Sequence, residues 1–337
     1  MIEDLHIGLA HGNGGRYIRA LIEELFARHL ASPALDVGLD AAPVCLPPGQ
    51  ELLVTTDGFI VQPLRYPGGD IGSLAVNGTV NDLAVSGAVA RYLTLNAFIE
   101  EGFEVAELDR VIASLAAAAA LAEVAVVAGD TKVVPRGQGG GLYLATTGVG
   151  FRPAGVRLGM GMIEPGDEIL VSGPVGDHAI AVMLARGAFE LSGDVHSDCA
   201  PVHRLALPLA ARADVHFMRD PTRGGLATVA HEIAGATGFG VHLHEAAIPV
   251  RPAVRAVCDI LGYDPYYLAC EGRVVAVVAP QAAAECLALW RGLPQGAEAA
   301  RIGVISAATG AEVILHTRLG GERFLDELGE DPLPRIC

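Results

Sequence analysis

The chain is almost without lysine. Lys132 is its single lysine, and the other 22 of its 23 basic residues are arginine. Aromatic residues are scarce too, at 5%, with one tryptophan. No run of ~20 apolar residues is free of charges and turn formers, the length a membrane-spanning helix needs. The longest apolar run, residues 111–122, is alanine-rich and flanked by Asp109, Arg110 and Glu123. The start, Met1-Ile2-Glu3-Asp4, is acidic, unlike the basic start of an export signal. The six cysteines, Cys45, Cys199, Cys258, Cys270, Cys286 and Cys337, include no C-x-x-C pair, so a zinc ribbon or thioredoxin-type site is not expected. They read as reduced thiols of a cytoplasmic protein. There is no Gly-x-x-x-x-Gly-Lys-Ser/Thr phosphate loop, and no Gly-x-Gly-x-x-Gly after a strand.

Positive charge is short overall. Acidic residues number 39 against 23 basic ones, for a net charge of −16. That disfavours nucleic acid as a partner, because phosphate backbones call for a basic face. A bound polyphosphate would then need local help from a metal ion or helix N-termini. In so arginine-rich a chain, Lys132 marks a place where a compact ammonium is needed and a planar guanidinium does not serve.

What is present is a large apolar fraction, 51%, in 337 residues. That supports a substantial core and two domains. The expected division is 1–150, 151–325 and a tail over 326–337. A Gly-rich loop, His11-Gly12-Asn13-Gly14-Gly15, precedes an amphipathic helix over 16–29. This loop, with Gly14 in it, suits either a phosphate lid or a helix cap. Next come an irregular stretch over 32–50, a strand over 51–56 ending at Asp57-Gly58, and a helix over 71–86 carrying Asn81-Asp82. A strand over 90–99, a helix over 105–122 and a short strand over 124–128 follow. That short strand is expected to end in Gly129-Asp130-Thr131-Lys132, with another strand over 142–149. The order β-α-β-α-β-β suggests a split α/β, ferredoxin-like sheet. A second α/β unit contains the helix after Gly176-Asp177-His178, the strand running into Arg219-Asp220, and the loop Cys270-Glu271-Gly272.

Asp57, Asp82, Asp130 and Asp220 are placed past strand ends or early in helices, beside glycines. Carboxylates so placed can hold Mg²⁺ while it bridges phosphates, or can simply cap turns. Lys132 follows Asp130 by two, so on an extended segment both point the same way. His242 and His244 alternate on one strand, as a metal pair or, by the blander reading, an exposed edge pair. The chain ends Asp331-Pro332-Leu333-Pro334-Arg335-Ile336-Cys337. Two prolines favour an extended arm with a thiol at its tip. Arg335 favours the thiolate and the terminal carboxylate opposes it.

Six segments occur in order: Thr55-Thr56-Asp57-Gly58, Tyr66-Pro67-Gly68-Gly69-Asp70-Ile71-Gly72, Asn81-Asp82-Leu83-Ala84-Val85-Ser86-Gly87-Ala88, Ala128-Gly129-Asp130-Thr131-Lys132-Val133-Val134, Arg219-Asp220-Pro221-Thr222-Arg223-Gly224-Gly225 and Pro334-Arg335-Ile336-Cys337. Together they resemble the HypE family, the carbamoyl dehydratases of [NiFe]-hydrogenase maturation. The first five share their style with aminoimidazole ribonucleotide synthetase, selenophosphate synthetase and thiamine-phosphate kinase. The terminal Pro-Arg-Ile-Cys singles out this member.

The resemblance implies an aminoimidazole ribonucleotide synthetase-like α/β fold whose N-terminal sheet domain dimerises, with ATP between the domains. It implies that Cys337 takes a carbamoyl group from the partner HypF. ATP with Mg²⁺ then dehydrates that group to a thiocyanate, and cyanide passes to iron on a HypC–HypD complex. Asp57, Asp82, Asp130, Asp220, Asn81, Gly14 and Lys132 would serve the nucleotide and metal. Glu271, in a loop matching the family's Asn-Glu-Gly-Lys-like pattern, would be the base, with His178 as a second candidate. Cys270 and Arg273 depart from that pattern. Two other readings stand beside this one: a sister ATP enzyme acting on a small substrate with an inert tail, and a non-catalytic metal-assembly scaffold.

Overall fold

The protein is described here from a computed structural model covering residues 4–12, 16–37, 41–42, 44–187 and 191–328. Gly14 and Cys337 lie outside the described residues.

The first half is built on a four-stranded sheet ordered Gln50–Phe59, Leu142–Pro153, Val89–Glu100, Ala125–Val134. The first three strands are antiparallel neighbours, and the last pair is parallel. Side chains alternate between two faces, as the strand period requires. Leu53, Leu93, Leu95, Ala97, Leu142 and Leu144 point to one face and pack in the core. The helices Ile71–Val85 and Val105–Leu121 complete that core. Register places Val54 beside Val149, Phe98 beside Tyr143 and Lys132, and Asn96 beside Asp130 on the opposite, open face.

Two strands outrun their expected ends. Asp57-Gly58 and Gly129-Asp130 read as strand-ending turns, yet both lie inside ten-residue strands. Pairing along a full partner strand overrides the local turn preference. Glycine is needed at 129, where a Cβ would come within 2.4 Å of the Leu95 carbonyl oxygen of the paired strand. Asp82 is not early in its helix but near the end of Ile71–Val85.

That helix starts at Asp70, whose carboxylate accepts the Ser73 N–H at 2.8 Å while Ser73 Oγ accepts the Asp70 N–H. This reciprocal cap satisfies donors that a helix start leaves open. Every residue of the helix but Ser73 and Asp82 is buried. It has no solvent face because the second half of the chain covers it too.

The second half carries a seven-stranded sheet ordered Glu322–Phe324, Val313–His316, Phe239–His244, Ala300–Thr309, Glu168–Val171, Val275–Val278, Val215–Arg219. The strand Phe239–His244 is therefore interior, with partners on both sides. His242 and His244 are not an edge pair. His242 Nδ1 instead lies 2.9 Å from His316 Nε2, and His316 Nδ1 lies 3.2 Å from Glu322.

The halves are joined through the loop after residue 196. Ser197 N–H donates to the Pro67 carbonyl at 2.8 Å. The buried Asn81 carboxamide donates to the carbonyls of Ala200 and Glu271 at 3.1 Å each, and accepts the Val202 N–H at 2.8 Å. Its side chain is spent on backbone of the other half. Asn81→Ala should thus remove three hydrogen bonds between the halves and leave the buried Val202 N–H without its side-chain acceptor. The expected loss of unfolding free energy is roughly 1–3 kcal/mol, read as a lower denaturation midpoint.

Candidate functional site

Two cavities, of about 350 and 450 Å³, lie between the halves and share Asp82, Arg219 and Asp220 in their walls. The first is also lined by Thr56, Asp57, Gly78, Arg223, Thr228 and Glu271. Asp57 comes from an edge strand, Asp82 from the last turn of the 71–85 helix, and Asp220 from just beyond the Val215–Arg219 strand. Three carboxylates separated widely in sequence therefore meet in one cleft.

Their electrostatics show the strain of that meeting. Burial raises Asp57 above the ordinary carboxylate value, against the Gly58 N–H and Arg223. Burial also raises Asp82, helped by Asp57 and opposed by the Thr55 hydroxyl, which donates to it at 2.8 Å. Asp220 is pushed up to about 7, by burial first and then by the Asp82 charge. Like charges out of water disfavour ionisation. A divalent cation would relieve all three.

Among the described residues, no three or more His, Cys, Asp or Glu side chains already stand at metal-ligand geometry.

Glu271 is buried in the wall of the same cavity. Its loop is fixed at the main chain. Asp198 accepts the N–H groups of Glu271 and Gly272 at 3.2 Å each, and Asn81 holds the Glu271 carbonyl. The departures at 270 and 273 are absorbed locally. Cys270 Sγ accepts the Gly176 N–H at 3.2 Å. Arg273 donates to the Pro174 carbonyl at 2.9 Å and lies 3.3–3.4 Å from Asp198 and Asp177.

Other expected site residues lie elsewhere. Lys132 Nζ is 2.6 Å from Asp130 Oδ2, both well exposed, on the edge strand opposite Asp57. Three strand spacings, ~14 Å, separate those edges. Asp130 lines a different cavity, against the 16–30 helical segment. Its carboxyl lies below the usual range, chiefly through Lys132.

His178 is fully buried, with Nδ1 2.8 Å from Ser197 Oγ and its ring edge-on to Tyr66. Burial lowers its pKa to about 4, so it is neutral at pH 7. It is not among the residues lining the acidic cavity.

The last described residues of the chain lie beside this cavity. Leu325 is buried, its carbonyl 2.7 Å from His231 Nε2, and the Asp326 carbonyl accepts the Tyr267 hydroxyl at 2.6 Å. The Leu328 side chain lies against Gly224, the cap of the helix Gly225–Thr237, which supplies Thr228 and Glu232 to the cavity wall.

Sequence reading missed Asp198, which nothing nearby in the chain marks as a partner of residue 271.

Because Asp220 is raised from 3.8 toward about 7, the folded state holds its proton more tightly than the unfolded chain. Its contribution to stability is lost as pH rises through that window. Without divalent cations, wild-type stability should fall relative to Asp220→Asn between about pH 4 and about pH 7. Added Mg²⁺ should reverse the fall in wild type only. Thermal denaturation with and without Mg²⁺ reads both.

Residues 38–151 and 164–316 match the family models of the N-terminal and C-terminal domains of AIR synthase related proteins. Over 332 residues the chain is 46% identical to the carbamoyl dehydratase HypE of Azotobacter vinelandii, covering 98% of this chain and 97% of that protein. The crystal structure of the hydrogenase maturation protein HypE in complex with ATP superposes with a TM-score of 0.93. It is 43% identical, over 98% of this chain and 99% of that one. HypE in a HypE–HypF complex superposes with a TM-score of 0.80 at 39% identity, over 92% of this chain and 100% of that one. With its acidic cleft between two such domains, the chain belongs to the HypE family, the carbamoyl dehydratases of hydrogenase maturation.

Proposed function

We propose that the cleft dehydrates a carbamoyl group carried on Cys337, and that the thiocyanate formed there supplies the cyanide ligands of the hydrogenase iron. The observation that carries this is the exit of the chain at Leu328, against a helix that lines the acidic cavity. The nine residues from 329 to 337 span at most ~30 Å when extended. That is enough for a tethered thiol to enter the cleft and also to visit a donor such as HypF outside it. Tethering keeps the local concentration high.

The reaction balances without an oxidant. The carbamoyl oxygen attacks the γ-phosphorus of ATP, ADP leaves, and nitrogen gives up one proton. The carbon–oxygen bond then breaks with its electron pair going to phosphate. The second N–H proton leaves, and carbon and nitrogen become triply bonded. Thiocarbamate and ATP thus become thiocyanate, ADP, phosphate and a proton. Asp57, Asp82 and Asp220 would hold Mg²⁺, which when bound neutralises charge on the phosphate oxygens. Glu271 is the base that this geometry supports. It lines the cavity, whereas His178 is buried away from it. A closed cleft also limits hydrolysis of the phosphorylated intermediate.

We further propose that the working unit is a homodimer. The open sheet face exposes three large apolar side chains, Leu52 at 50%, Val54 at 61% and Phe98 at 41%, which a second copy would cover. Asp130 and Lys132 share that face, so a second copy would bring its own pair toward the phosphates. HypF as carbamoyl donor and HypC–HypD as cyanide acceptor complete the scheme in the cytoplasm. Among the described residues no helix is long and apolar enough to cross a membrane.

Incubation with a carbamoyl donor, HypF and ATP should add one cyano group to the C-terminal peptide, seen by intact-protein mass spectrometry. Cys337→Ala should keep ATP binding and gain no adduct. A carbamoyl or cyano group on Cys199 in that variant would refute the assignment. If the second copy supplies Lys132, mixed dimers of Asp57→Asn and Lys132→Ala chains should regain about a quarter to a half of wild-type turnover. Either variant alone should be nearly inactive. Equal inactivity of the mixture would place Lys132 outside a shared site.

A further inference from the structure

One face of the seven-stranded sheet is divided between a covered part and an open part. Leu170, Met218, Ala276 and Val278 on that face pack under the helices His203–Ala210 and Ala283–Arg291. Farther along the sheet, Val241, Leu243, Val313 and Leu315 point to the opposite face and are buried there. Their chain neighbours His242, His244 and His316 therefore share the first face, by the two-residue period of a strand. On it His244 is exposed, and His242 and His316 are half-buried. Solutes can reach this group, which lies outside the acidic cleft.

The pairing of strands gathers the three rings. His316 stands beside His244 on one side and opposite Glu322 on the other. The His316 ring lies 5.1 Å from that of His242 and 5.0 Å from that of His244, centre to centre. Glu322 Oε1 is 3.2 Å from His316 Nδ1. An ionised carboxylate only accepts, so it favours the proton on Nδ1 and leaves the Nε2 lone pair turned to the other rings. That Nε2 is 2.9 Å from His242 Nδ1.

The same spacing suits two ligands of one ion. Metal–nitrogen bonds of ~2.0–2.1 Å put neighbouring ligand nitrogens ~2.9 Å apart at a right angle and ~3.3 Å apart in a tetrahedron. Among the described residues no three such side chains converge as they stand. The third ring here is the exposed one, and an exposed histidine can turn to another staggered rotamer. Burial, then the charges of His316, His242 and Arg301, lower the pKa of His244, which keeps its lone pair available at neutral pH.

We infer that His242, His244 and His316 form a site for one divalent first-row transition ion such as Zn²⁺, with Glu322 orienting His316 and water completing the shell. The ion replaces the hydrogen bond between His242 and His316, and His242 then carries its proton on Nε2. Imidazole ligands select such ions, whereas Mg²⁺ prefers oxygen, so this site and the carboxylate cleft sort different metals. The ion would staple Phe239–His244 to Val313–His316 and, through Glu322, hold the edge strand Glu322–Phe324, which precedes the tail. The site stands whether or not the cleft dehydrates a carbamoyl group.

The test is calorimetric titration of the full-length protein with Zn²⁺ in excess Mg²⁺, with Cys45 and Cys337 replaced by serine to remove competing thiols. One Zn²⁺ per chain is expected. Glu322→Gln should weaken binding roughly 10-fold, as loss of an orienting partner does, and His242→Ala or His316→Ala roughly 100-fold or more. The rise in melting temperature on adding Zn²⁺ should shrink in the same order. A further readout leaves the histidines untouched: zinc X-ray absorption should show imidazole nitrogens at ~2.0–2.1 Å. No bound Zn²⁺, unchanged binding in both histidine variants, or a zinc shell of oxygen or sulfur alone would overturn the site.

Discussion

Repulsion among carboxylates held out of water is the constraint around which this molecule is arranged. Asp57, Asp82 and Asp220 line one cleft, and each has a raised pKa whose first cause is burial. No fold gains stability from such a group. The cost is sustained by the strand pairing and buried helix around it, which hold the three backbones in place whether or not a cation is present. Arg219 and Arg223 temper the charge without cancelling it, both lying in the cavity wall. The carboxylates are thus left with an unfavourable charge that a bound cation would relieve.

The join between the halves serves that cleft. Asn81 ties the helix bearing Asp82 to the loops bearing Ala200 and Glu271, and Asp198 ties two successive N–H groups of the 271 turn. Glu271 and Asp82, which share the cavity wall, are consequently set by one hydrogen-bonded frame. A shift of the second half relative to the first would break the Asn81 contacts before it moved Glu271 far. Effective catalysis depends on geometry held to this degree.

How much of this was legible depended on whether the signal was local. Asp220 was placed correctly, because a strand followed by Asp-Pro-Thr-Arg-Gly-Gly reads as a strand end opening a helix. Asp57 and Asp130 were placed past strand ends, since Asp-Gly and Gly-Asp pairs mimic turns and only the partner strand reveals otherwise. Asp82 was put early in a helix that it nearly ends. That helix is buried all round, so hydrophobic periodicity could not fix its ends. Asn81 read as a nucleotide ligand, yet its amide is spent on backbone. Lys132 stood out by scarcity alone, and scarcity does not say which cavity a residue serves. Asp198 was invisible because its partners lie more than seventy residues away. The family, by contrast, was plain from six short segments in order, since order and spacing along the chain need no tertiary contact to be read.

Gly272 carries one last implication. A Cβ there would sit 1.8 Å from the Asp198 carbonyl oxygen, a distance no side chain can occupy. The turn after Glu271 is therefore walled in, and the flexibility glycine usually lends is absent at this position. The main chain that carries Glu271 is thus pinned against the Asp198 backbone, and its carboxylate is presented from a fixed wall of the cavity.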